Sequence, residues 1–332
     1  MTKLAIVILN WNGKGLLAEF LPSVIQYSDE ADIYVADNGS TDDSVAFVRA
    51  TFPKVKVIEN KENGGFAKGY NDALKYVDAD IYCLLNSDVE VTKGWLGPVL
   101  SQFEASPNTA IIQPKILDYK DRQRFEYAGA AGGFIDKLGY PYCRGRIFQS
   151  IEEDEKQYDD IIDIFWATGA CMFVRRAVFE ALGGFDEDYF AHQEEIDFCW
   201  RAHNLGYNVQ YVGHSHVYHV GGATMSNMNP LKTFLNFRNS LYSITKNLPK
   251  RTVLKLVLIR LLLDGIAAAR FVFQFKFSHF YAVLKAHFSF YWNFRRTFKK
   301  RGNAKKFTKY QGTTSVVWSY FVHRKEKFSE LS

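Results

Sequence analysis

The sequence predicts an α/β protein in which a parallel sheet is followed by a C-terminal amphipathic helical region. In residues 1–90, short apolar runs alternate with segments that read as helices, as in strands joined by right-handed crossovers. Each apolar run ends abruptly in polar side chains. The carboxyl ends of such strands meet at one edge of the sheet, where open α/β sheets bind their ligands.

Four short apolar runs read as buried strands, because each is bounded on both sides by polar or turn residues. Ser40, Thr41 and Asp42 follow the second strand and are good N-caps for a helix that extends to about residue 50. Another helix is expected after the third strand, ending at about residue 76. The predicted strands cover residues 4–9, 32–36, 55–59 and 82–85.

The polar residues after these strands offer the groups of a nucleotide pocket. An ionised carboxylate only accepts hydrogen bonds, so Asp37 can accept the ring N–H of uracil or thymine; the alternative is an Asx turn that closes a loop. Gly64 and Gly65 permit close approach of a ligand, and Trp11 or Phe66 can stack on a base, although both residue types more often pack in a core. The predicted nucleotide-binding residues are Asn10, Trp11, Asn12, Asp37, Asn63, Phe66, Lys68, Asn71, Asn86 and Ser87.

The fourth strand ends at Asn86 and Asp88, one residue apart, where the strand is expected to leave the core and meet solvent. Asp88, together with Asn86 or an intervening water, can hold Mg²⁺ or Mn²⁺, because such cations take one or two carboxylates and complete their coordination with substrate phosphates. The alternative is a strand-end turn capped by Asn and Asp.

Three carboxylates crowd the first turn of a later predicted helix: Glu194, Glu195 and Asp197. They follow a loop and strand at 164–176 and a short helix that stops at the glycine pair 183–184. Acidic residues at this position are also favoured by the helix macrodipole, which is the plainer interpretation. Mutual repulsion, however, raises a carboxyl pKa toward the value that a general base needs.

A strand near residue 216 carries three histidines, His214, His216 and His219. Alternating histidines share one face of a strand, which suggests zinc, but the cluster lacks a nearby cysteine pair or a further spaced ligand. We interpret His214 and His216 as surface or hydrogen-bonded structural residues.

Residues 35–42, 63–67 and 85–88 resemble the corresponding motifs of the family 2 glycosyltransferases with the GT-A fold, a Rossmann-like nucleotide-diphospho-sugar transferase domain. The resemblance extends over about residues 3–225 in consistent order. It implies that Asp37 binds the nucleotide base and that residues 86–88 match the Asp-x-Asp element, which binds the metal and the diphosphate. Asn86 replaces the first Asp, as in rhamnosyltransferase-like members. The resemblance further implies that Asp88 and His219 hold Mg²⁺ or Mn²⁺.

The same resemblance places the catalytic base at Glu195, where the family more often has Asp, and gives Glu194 the task of binding or orienting the acceptor. Glu194 and Asp197 are the alternative bases. No second carboxylate is obviously placed to act as a nucleophile, so a single displacement with inversion is expected. The residues that we assign to acceptor binding are Trp166, Thr168 and Gly169.

Composition favours an intracellular enzyme. The four cysteines lie in apolar surroundings without metal-binding spacing, so they read as reduced core residues. The N-terminus leads directly into a strand without the pattern of a signal peptide, and we therefore expect a cytoplasmic location.

Charge divides the chain near residues 227–230. Residues 1–227 carry 20 Lys and Arg and 33 Asp and Glu, whereas residues 228–332 carry 21 and 3, so their net charges are −13 and +18. We predict a catalytic domain at 1–227 and a basic, aromatic-rich, membrane-associating helical region at 228–332. This region is too charged to span a bilayer, so we expect it to lie on the inner face of the cell membrane, against anionic lipid rather than nucleic acid. The alternative is a helical hairpin packed on the catalytic domain.

The charges of one predicted helix in this region fall on one half of its surface: Lys255, Arg260, Asp264 and Arg270. The other half is apolar, a pattern typical of a helix that lies in a membrane interface.

The function that these features predict is transfer of a sugar from a UDP- or dTDP-sugar, such as dTDP-rhamnose, to a hydroxyl of a glycan or polyprenyl-linked acceptor in cell-surface polysaccharide synthesis. The alternatives are a nucleotidyltransferase of related fold and a catalytically inactive binding module in which the basic tail is the function.

Overall fold

A nine-stranded sheet forms the centre of the molecule in a computed structural model that describes residues 2–221, 229–302 and 313–331. The first half of the sheet is parallel, as the sequence predicts, and each predicted strand is present to within one residue at either end. Its elements are β1 (Leu4–Asn10), α1 (Lys14–Gln26), β2 (Ala31–Asp37), α2 (Ser44–Thr51), β3 (Lys56–Glu59), α3 (Gly65–Ala73), a 3-10 turn (Leu74–Tyr76) and β4 (Ile81–Asn86).

The second half of the sheet is mixed. The elements of this part of the chain are β5 (Val89–Val91), α4 (Leu96–Ala105), β6 (Thr109–Asp118), β11 (Ile161–Asp163), β12 (Cys171–Arg175), α5 (Arg176–Ala181), a 3-10 turn (Glu187–Tyr189), α6 (Glu194–Asn204) and β13 (Asn208–His219). Between β6 and β11 the short strands β7 (Gly133–Ile135), β8 (Pro141–Cys143), β9 (Arg146–Ile147) and β10 (Ser150–Ile151) form a separate sheet. The order is β11-β13-β6-β12-β4-β1-β2-β3, with β5 added at the end of β13. Strand β12 runs antiparallel to both of its neighbours, β4 and β6.

Both faces of the large sheet are buried, as expected of strands covered by helices on either side. Ala5 and Val7 of β1 point into one apolar core and Ile6 and Ile8 into the other. The ends of the strands therefore carry the polar groups of this part of the fold.

The C-terminal region forms α7 (Pro230–Asn247), α8 (Lys250–Phe273), α9 (Phe277–Lys299), α10 (Val316–Phe321) and a final 3-10 turn (Phe328–Glu330). Helices α8 and α9 make a hairpin that packs on α7. No helix in the described ranges is long and apolar enough to cross a bilayer. The charge boundary at residues 227–230 lies partly in 222–228, outside the described residues.

The last described segment, residues 313–331, covers a second, four-stranded sheet of β7 to β10. Tyr142 and Ile147 of this sheet pack against Val316 and Leu331. The buried Asp136 carboxylate accepts a hydrogen bond from the Val316 N–H at 2.9 Å. Burial raises the pKa of Asp136 to about 6. The C-terminal segment is thus part of the core of this small sheet.

Helix α8 does not turn all its charges to solvent. Lys255 and Arg270 are exposed, but Arg260 and Asp264 are buried against the rest of the protein. Arg260 Nη1 donates to the carbonyl oxygens of residues 138 and 139 at 3.1 and 3.0 Å, and its guanidinium carbon lies 3.7 Å from the centroid of the Tyr140 ring. The predicted charged half therefore supplies the contacts that dock α8 onto the β7–β8 turn.

Arg260→Ala is expected to destabilise the protein by about 3–5 kcal/mol, because it leaves two buried carbonyls without a donor and Asp264 without its cationic neighbour. Lys255→Ala, on the exposed side of the same helix, is the matched control and should change stability by less than about 0.5 kcal/mol. Urea denaturation followed by circular dichroism measures both variants. Equal midpoints would mean that Arg260 does not dock the helix.

Candidate active site

The ends of β1 and β2 meet through a buried polar network. Asn10 Nδ2 donates to Asp37 Oδ1 at 2.9 Å, and the Ser40 N–H donates to Asp37 Oδ2 at 2.9 Å. Both Asn10 and Asp37 are buried, and Asn10 Oδ1 has no hydrogen-bond partner in the described chain. Asp37 thus closes a local turn. Beside it, the Oδ1 atom of Asn10 can still accept a hydrogen bond. The structure shows the turn that the sequence analysis gave as the alternative for Asp37, and nucleotide binding by Asp37 stays a prediction.

Asn12 and Trp11 occupy the loop after β1, at the mouth of this network. Asn12 has a positive φ of 50° and its Oδ1 accepts from the Thr41 N–H at 2.7 Å, which ties the loops after β1 and β2 together. The Trp11 side chain is 47% exposed. An exposed indole beside a polar strand end is available to stack on a base. Ser87 lies partly exposed across from Gly13 of the first loop.

The residues predicted around 63–71 make mainly internal contacts. Asn63 Oδ1 accepts from the Gly65 N–H at 3.0 Å, and Lys68 pairs with Asp72. Asn71 clamps a later loop: its Nδ2 donates to the Phe185 carbonyl and its Oδ1 accepts from the Phe185 N–H, both at 2.9 Å. These contacts give Asn71 a structural task that the sequence did not predict.

Gly65 brings the two halves of the fold together. It has a φ of +77°, and a Cβ there would lie 2.3 Å from the Phe190 carbonyl oxygen. The next residue, Phe66, donates its backbone N–H to that same oxygen at 2.8 Å and packs edge-on against Phe185. The close approach expected of a ligand at Gly65 is made here by the chain itself, in the loop that leads to the paired carboxylates.

His219 joins the end of β4 to a residue that the sequence analysis missed. Its Nε2 lies 3.1 Å from Asp88 Oδ1 and 3.4 Å from Asn86 Nδ2, while its Nδ1 lies 3.4 Å from Glu126 Oε2. Asp88, Glu126 and His219 are all buried, so Asp88 does not meet solvent as expected. Burial alone would lower the pKa of His219, but the charge of Glu126 and the hydrogen bond with Asp88 outweigh it and raise the pKa to about 10.

Asp88 and His219 fit a divalent cation, because an oxygen and a nitrogen donor converge within 3.1 Å of each other. Rotation of the Asn86 amide would add a second oxygen. No group of three or more His, Cys, Asp or Glu forms a metal cluster in the part of the chain that the structure describes, so substrate phosphates would have to complete the coordination. Binding must also displace the His219 proton.

His214 and His216 lie apart from this site. Strand β13 buries Ser215, Val217 and His219 on one face, while His214 is exposed and His216 half-buried on the other. Side chains alternate along a strand, so residues 214 and 219 cannot share a face. This agrees with the structural role expected for His214 and His216.

Helix α6 begins with Glu194 and Glu195 after a backbone segment of unusual conformation. Phe190, His192 and Gln193 all have positive φ values, of 63°, 65° and 72°. Such conformations are costly for residues other than glycine and persist where the surroundings fix them, often at functional sites. The segment turns the two carboxylates into the protein rather than toward solvent.

Glu194 and Glu195 are neighbouring acids, of which Glu194 is buried and Glu195 half-buried. Burial, together with the charge of Glu195, raises the pKa of Glu194 well above its usual value, and burial raises the pKa of Glu195 to about 7. The Oε2 atom of each has no hydrogen-bond partner within the described residues. A carboxylate with a free oxygen and a pKa near neutrality suits a general base.

Asp197 is held by cations instead. Its Oδ2 lies 2.8 Å from both Lys246 Nζ and Arg201 Nε, and its Oδ1 accepts from Asn247 Nδ2 at 2.8 Å. Burial alone would raise the pKa of Asp197, but these charges outweigh it and hold the pKa well below its usual range. A carboxylate so paired is a poor proton acceptor, which favours Glu195 over Asp197 as the base.

The residues assigned to acceptor binding are largely enclosed. The buried Trp166 donates its indole N–H to the Phe134 carbonyl at 2.9 Å, and Thr168 donates its backbone N–H to Gln113 Oε1 at 2.8 Å. A Cβ on Gly169 would lie 2.8 Å from Phe66. These contacts are internal to the protein, and acceptor binding by Trp166, Thr168 and Gly169 stays a prediction.

A family profile matches the part of the chain that contains the strand ends of β1 to β4. The profile described as Glycosyl transferase family 2 matches residues 5–183, more than half of the chain. The chain belongs to this family. As a glycosyltransferase it is neither the nucleotidyltransferase nor the inactive binding module that the sequence left as alternatives.

Two relatives match more of the chain. An N-acetylglucosaminyl-diphospho-decaprenol L-rhamnosyltransferase of Mycobacterium tuberculosis is 25% identical over 234 residues, which cover 65% of this chain and 75% of the relative. The low-salt glycan biosynthesis hexosyltransferase Agl10 of Haloferax volcanii is 24% identical over 285 residues, which cover 83% of this chain and 87% of the relative. The glycosyltransferase is thus similar to rhamnosyl- and hexosyltransferases.

Solved structures confirm the GT-A fold. The mannosyltransferase PcManGT from Pyrobaculum calidifontis, in complex with GDP-Man and Mn²⁺, has a TM-score of 0.55 and 14% identity, covering 88% of both chains. GalNAc-T7 with UDP, GalNAc and Mn²⁺ has a TM-score of 0.58 and 15% identity, covering 75% of this chain and 49% of that one.

Proposed function

We propose that this glycosyltransferase moves a hexosyl or deoxyhexosyl unit from a nucleotide-diphosphate sugar to a hydroxyl of a glycan or polyprenyl-linked acceptor in cell-surface polysaccharide synthesis. The observation that carries the proposal is Glu195, a half-buried residue whose Oε2 atom is enclosed without a hydrogen-bond partner in the described residues and whose pKa is raised to about 7. The names of the two relatives support the sugar and acceptor classes, since one describes a rhamnosyltransferase for a decaprenol-linked acceptor and the other a hexosyltransferase.

The donor is a UDP- or dTDP-sugar, such as dTDP-rhamnose, held at the ends of β1 to β4. Asn10 and Asp37 supply polar groups that match a pyrimidine base edge, and the exposed Trp11 covers the base. The loop of Asn12 closes this side of the pocket.

Asp88 and His219 hold Mg²⁺ or Mn²⁺ in this proposal, with Asn86 beside them. When bound, the cation neutralises the diphosphate as it leaves the sugar. Glu126 orients His219 through the other ring nitrogen, as a carboxylate commonly does behind a metal-binding histidine.

Glu195 removes the proton of the acceptor hydroxyl while the hydroxyl oxygen attacks the anomeric carbon. A bond forms between that oxygen and C1, the bond from C1 to the diphosphate oxygen breaks, and the proton remains on Glu195. Glu194, the carboxylate next to Glu195, orients the acceptor. One displacement inverts the anomeric configuration.

The hairpin of α8 and α9 presents an apolar surface to solvent, which we call the hairpin face. Its side chains recur at helical spacing and are between 37% and 90% exposed. A contiguous patch of this kind marks a docking surface, and here lipid fits best because basic residues such as Lys255, Lys276, Arg295 and Lys299 flank it. The hairpin face consists of Leu254, Leu258, Leu262, Ile266, Phe277, Tyr281, Leu284, Phe288, Tyr291 and Trp292.

The hairpin face supports the remaining parts of the proposal. Residues 1–227 form the catalytic domain and residues 228–332 the membrane-associating region. The enzyme lies on the inner, cytoplasmic face of the cell membrane, where nucleotide sugars and polyprenyl-linked acceptors meet. Its partners are the nucleotide sugar, the acceptor and anionic lipid, without nucleic acid.

Glu195→Gln is expected to lower the rate of sugar transfer by about 10²- to 10⁴-fold with unchanged nucleotide affinity, because the amide keeps its size but cannot accept a proton. In the unmodified enzyme the rate should fall as pH drops below about 7, since the raised pKa of Glu195 means that it is protonated there. Product formation and calorimetric nucleotide titration measure the two effects. Asp197→Asn is the control: a rate lost only there, in a stable protein, would move the base to Asp197.

EDTA is expected to abolish transfer, and Mn²⁺ or Mg²⁺ to restore it, because Asp88 and His219 offer only part of a coordination shell. Asp88→Asn should raise the Mn²⁺ concentration needed for half-maximal activity. Manganese binding, followed by electron paramagnetic resonance with UDP present, gives a readout independent of turnover. Glu90→Gln, on neighbouring β5, serves as the control. Full activity in EDTA would refute the metal assignment.

The double variant Leu258→Glu with Leu262→Glu is expected to lower partitioning onto vesicles by at least about 10- to 100-fold. Each leucine side chain that enters the lipid contributes roughly 1.5 kcal/mol or more to the free energy of binding. Flotation with phosphatidylglycerol and phosphatidylcholine vesicles measures this. Tyr76→Glu, which alters an exposed residue of the catalytic domain, should have no effect. Equal flotation of the unmodified protein, the double variant and Tyr76→Glu would show that the hairpin face does not bind lipid.

A further inference from the structure

Asn239 of α7 reaches across to the loop that precedes Glu194 and Glu195. Its Nδ2 lies 3.0 Å from the Tyr189 carbonyl, 3.0 Å from the Ala191 carbonyl and 2.7 Å from the His192 carbonyl. An amide nitrogen has two hydrogens, so the three acceptors share them. Its Oδ1 accepts from the neighbouring Arg238 Nε at 2.9 Å. Asn239 is fully buried, and every polar atom of its side chain is used.

These carbonyls belong to the segment with positive φ values at Phe190, His192 and Gln193. Backbone in that region relaxes unless neighbouring groups hold it. The Tyr189 carbonyl also accepts from the Ala191 N–H and from Arg238, but the amide of Asn239 is the donor that the structure gives to the partly buried carbonyls of Ala191 and His192. It therefore stabilises the one conformation from which α6 begins at Glu194.

Further contacts from α7 and α9 fix the flanks of the same segment. Arg238 Nη2 donates to the Asp188 carbonyl at 3.0 Å, and Lys246 Nζ lies 2.5 Å from Asp186 Oδ2. Lys300, at the end of α9, lies 2.7 Å from Asp188 Oδ2. The segment is thus held at its N-terminal flank by Arg238, Lys246 and Lys300, and at its centre by Asn239.

We propose that Asn239 is a positioning residue for Glu195, and that α7 completes the active site of this enzyme by fixing the loop that aims the base. The inference rests on the proposed function of Glu195. It assigns to residues 230–247 a part in the reaction in addition to any contact with the membrane.

The position of Glu195 also sets its protonation. The titratable side chains that interact with it electrostatically are Glu194, Cys199 of α6 and Cys143 of β8. Burial, which depends on the fold of the preceding loop, raises the pKa of Glu195. Releasing the loop admits water and lowers that pKa toward its ordinary value.

The test compares Asn239→Ala with Ser240→Ala. Ser240 is the next residue of α7, is also buried, and its Oγ accepts from Arg260 at 2.9 Å, so its loss removes a buried hydrogen bond that does not touch the loop. Asn239→Ala should lower kcat by about 100-fold with little change in the donor KM, because a displacement of about 1 Å in a catalytic group has an effect of this size. The acidic limb of its kcat profile should move below pH 7.

Asn239→Ser, which keeps one short donor, should recover part of the rate. Hydrogen exchange of residues 188–197 provides a readout that needs no substrate: protection should fall in Asn239→Ala and persist in Ser240→Ala. Equal protection in the two variants, or equal kcat and pH profiles, overturns the inference.

Glu195→Gln separates this inference from the proposed function. If Glu195→Gln is inactive while Asn239→Ala behaves like Ser240→Ala, only the positioning role fails. If Glu195→Gln retains its rate, the base assignment fails and the positioning role fails with it.

Discussion

The buried ion pair between Asp197 and Lys246 is the contact on which the architecture of the site depends. It joins the first turn of α6 to the end of α7 at 2.8 Å, and both side chains are almost completely buried. Either charge alone in that position would be strongly destabilising. Because Asp197 lies two residues after Glu195, the pair also fixes the register in which the carboxylates leave the strained loop. Helix α6 is therefore tied directly to the C-terminal helix α7.

The first half of the fold is readable from the sequence because its information is local. Apolar runs end at Asn10, Asp37 and Asn86, and parallel strands bring those ends to one edge. Glu126 was not foreseen, since residues 119–160 have no regular apolar period and fold as short strands and turns. Lys246 was not foreseen either, because a charge 49 residues from its partner looks like any other basic residue of a basic tail.

Several residues predicted to touch a ligand touch the protein instead, for chemical reasons. Asn71 has the donor and acceptor that a nucleotide would need, and uses both on the Phe185 backbone. Gly65 allows close approach, and the carbonyl of Phe190 takes that place. A sequence shows which groups can form such contacts. It does not show whether the partner is a ligand or another part of the same chain. The charges of α8 illustrate the same limit, since Arg260 donates hydrogen bonds to carbonyls of the β7–β8 turn and does not point to solvent.

The return of residues 313–331 to cover the small sheet has a consequence for recombination between related enzymes. Val316 and Leu331 complete a core begun by Tyr142 and Ile147, so the C-terminal segment packs on a sheet from the middle of the chain and is not a separable block. A chimera joined near residue 228 would exchange residues 313–331, which cover that sheet, together with the hairpin. The outer surface of α8 and α9 is therefore easier to change by single substitutions than by exchange of whole tails.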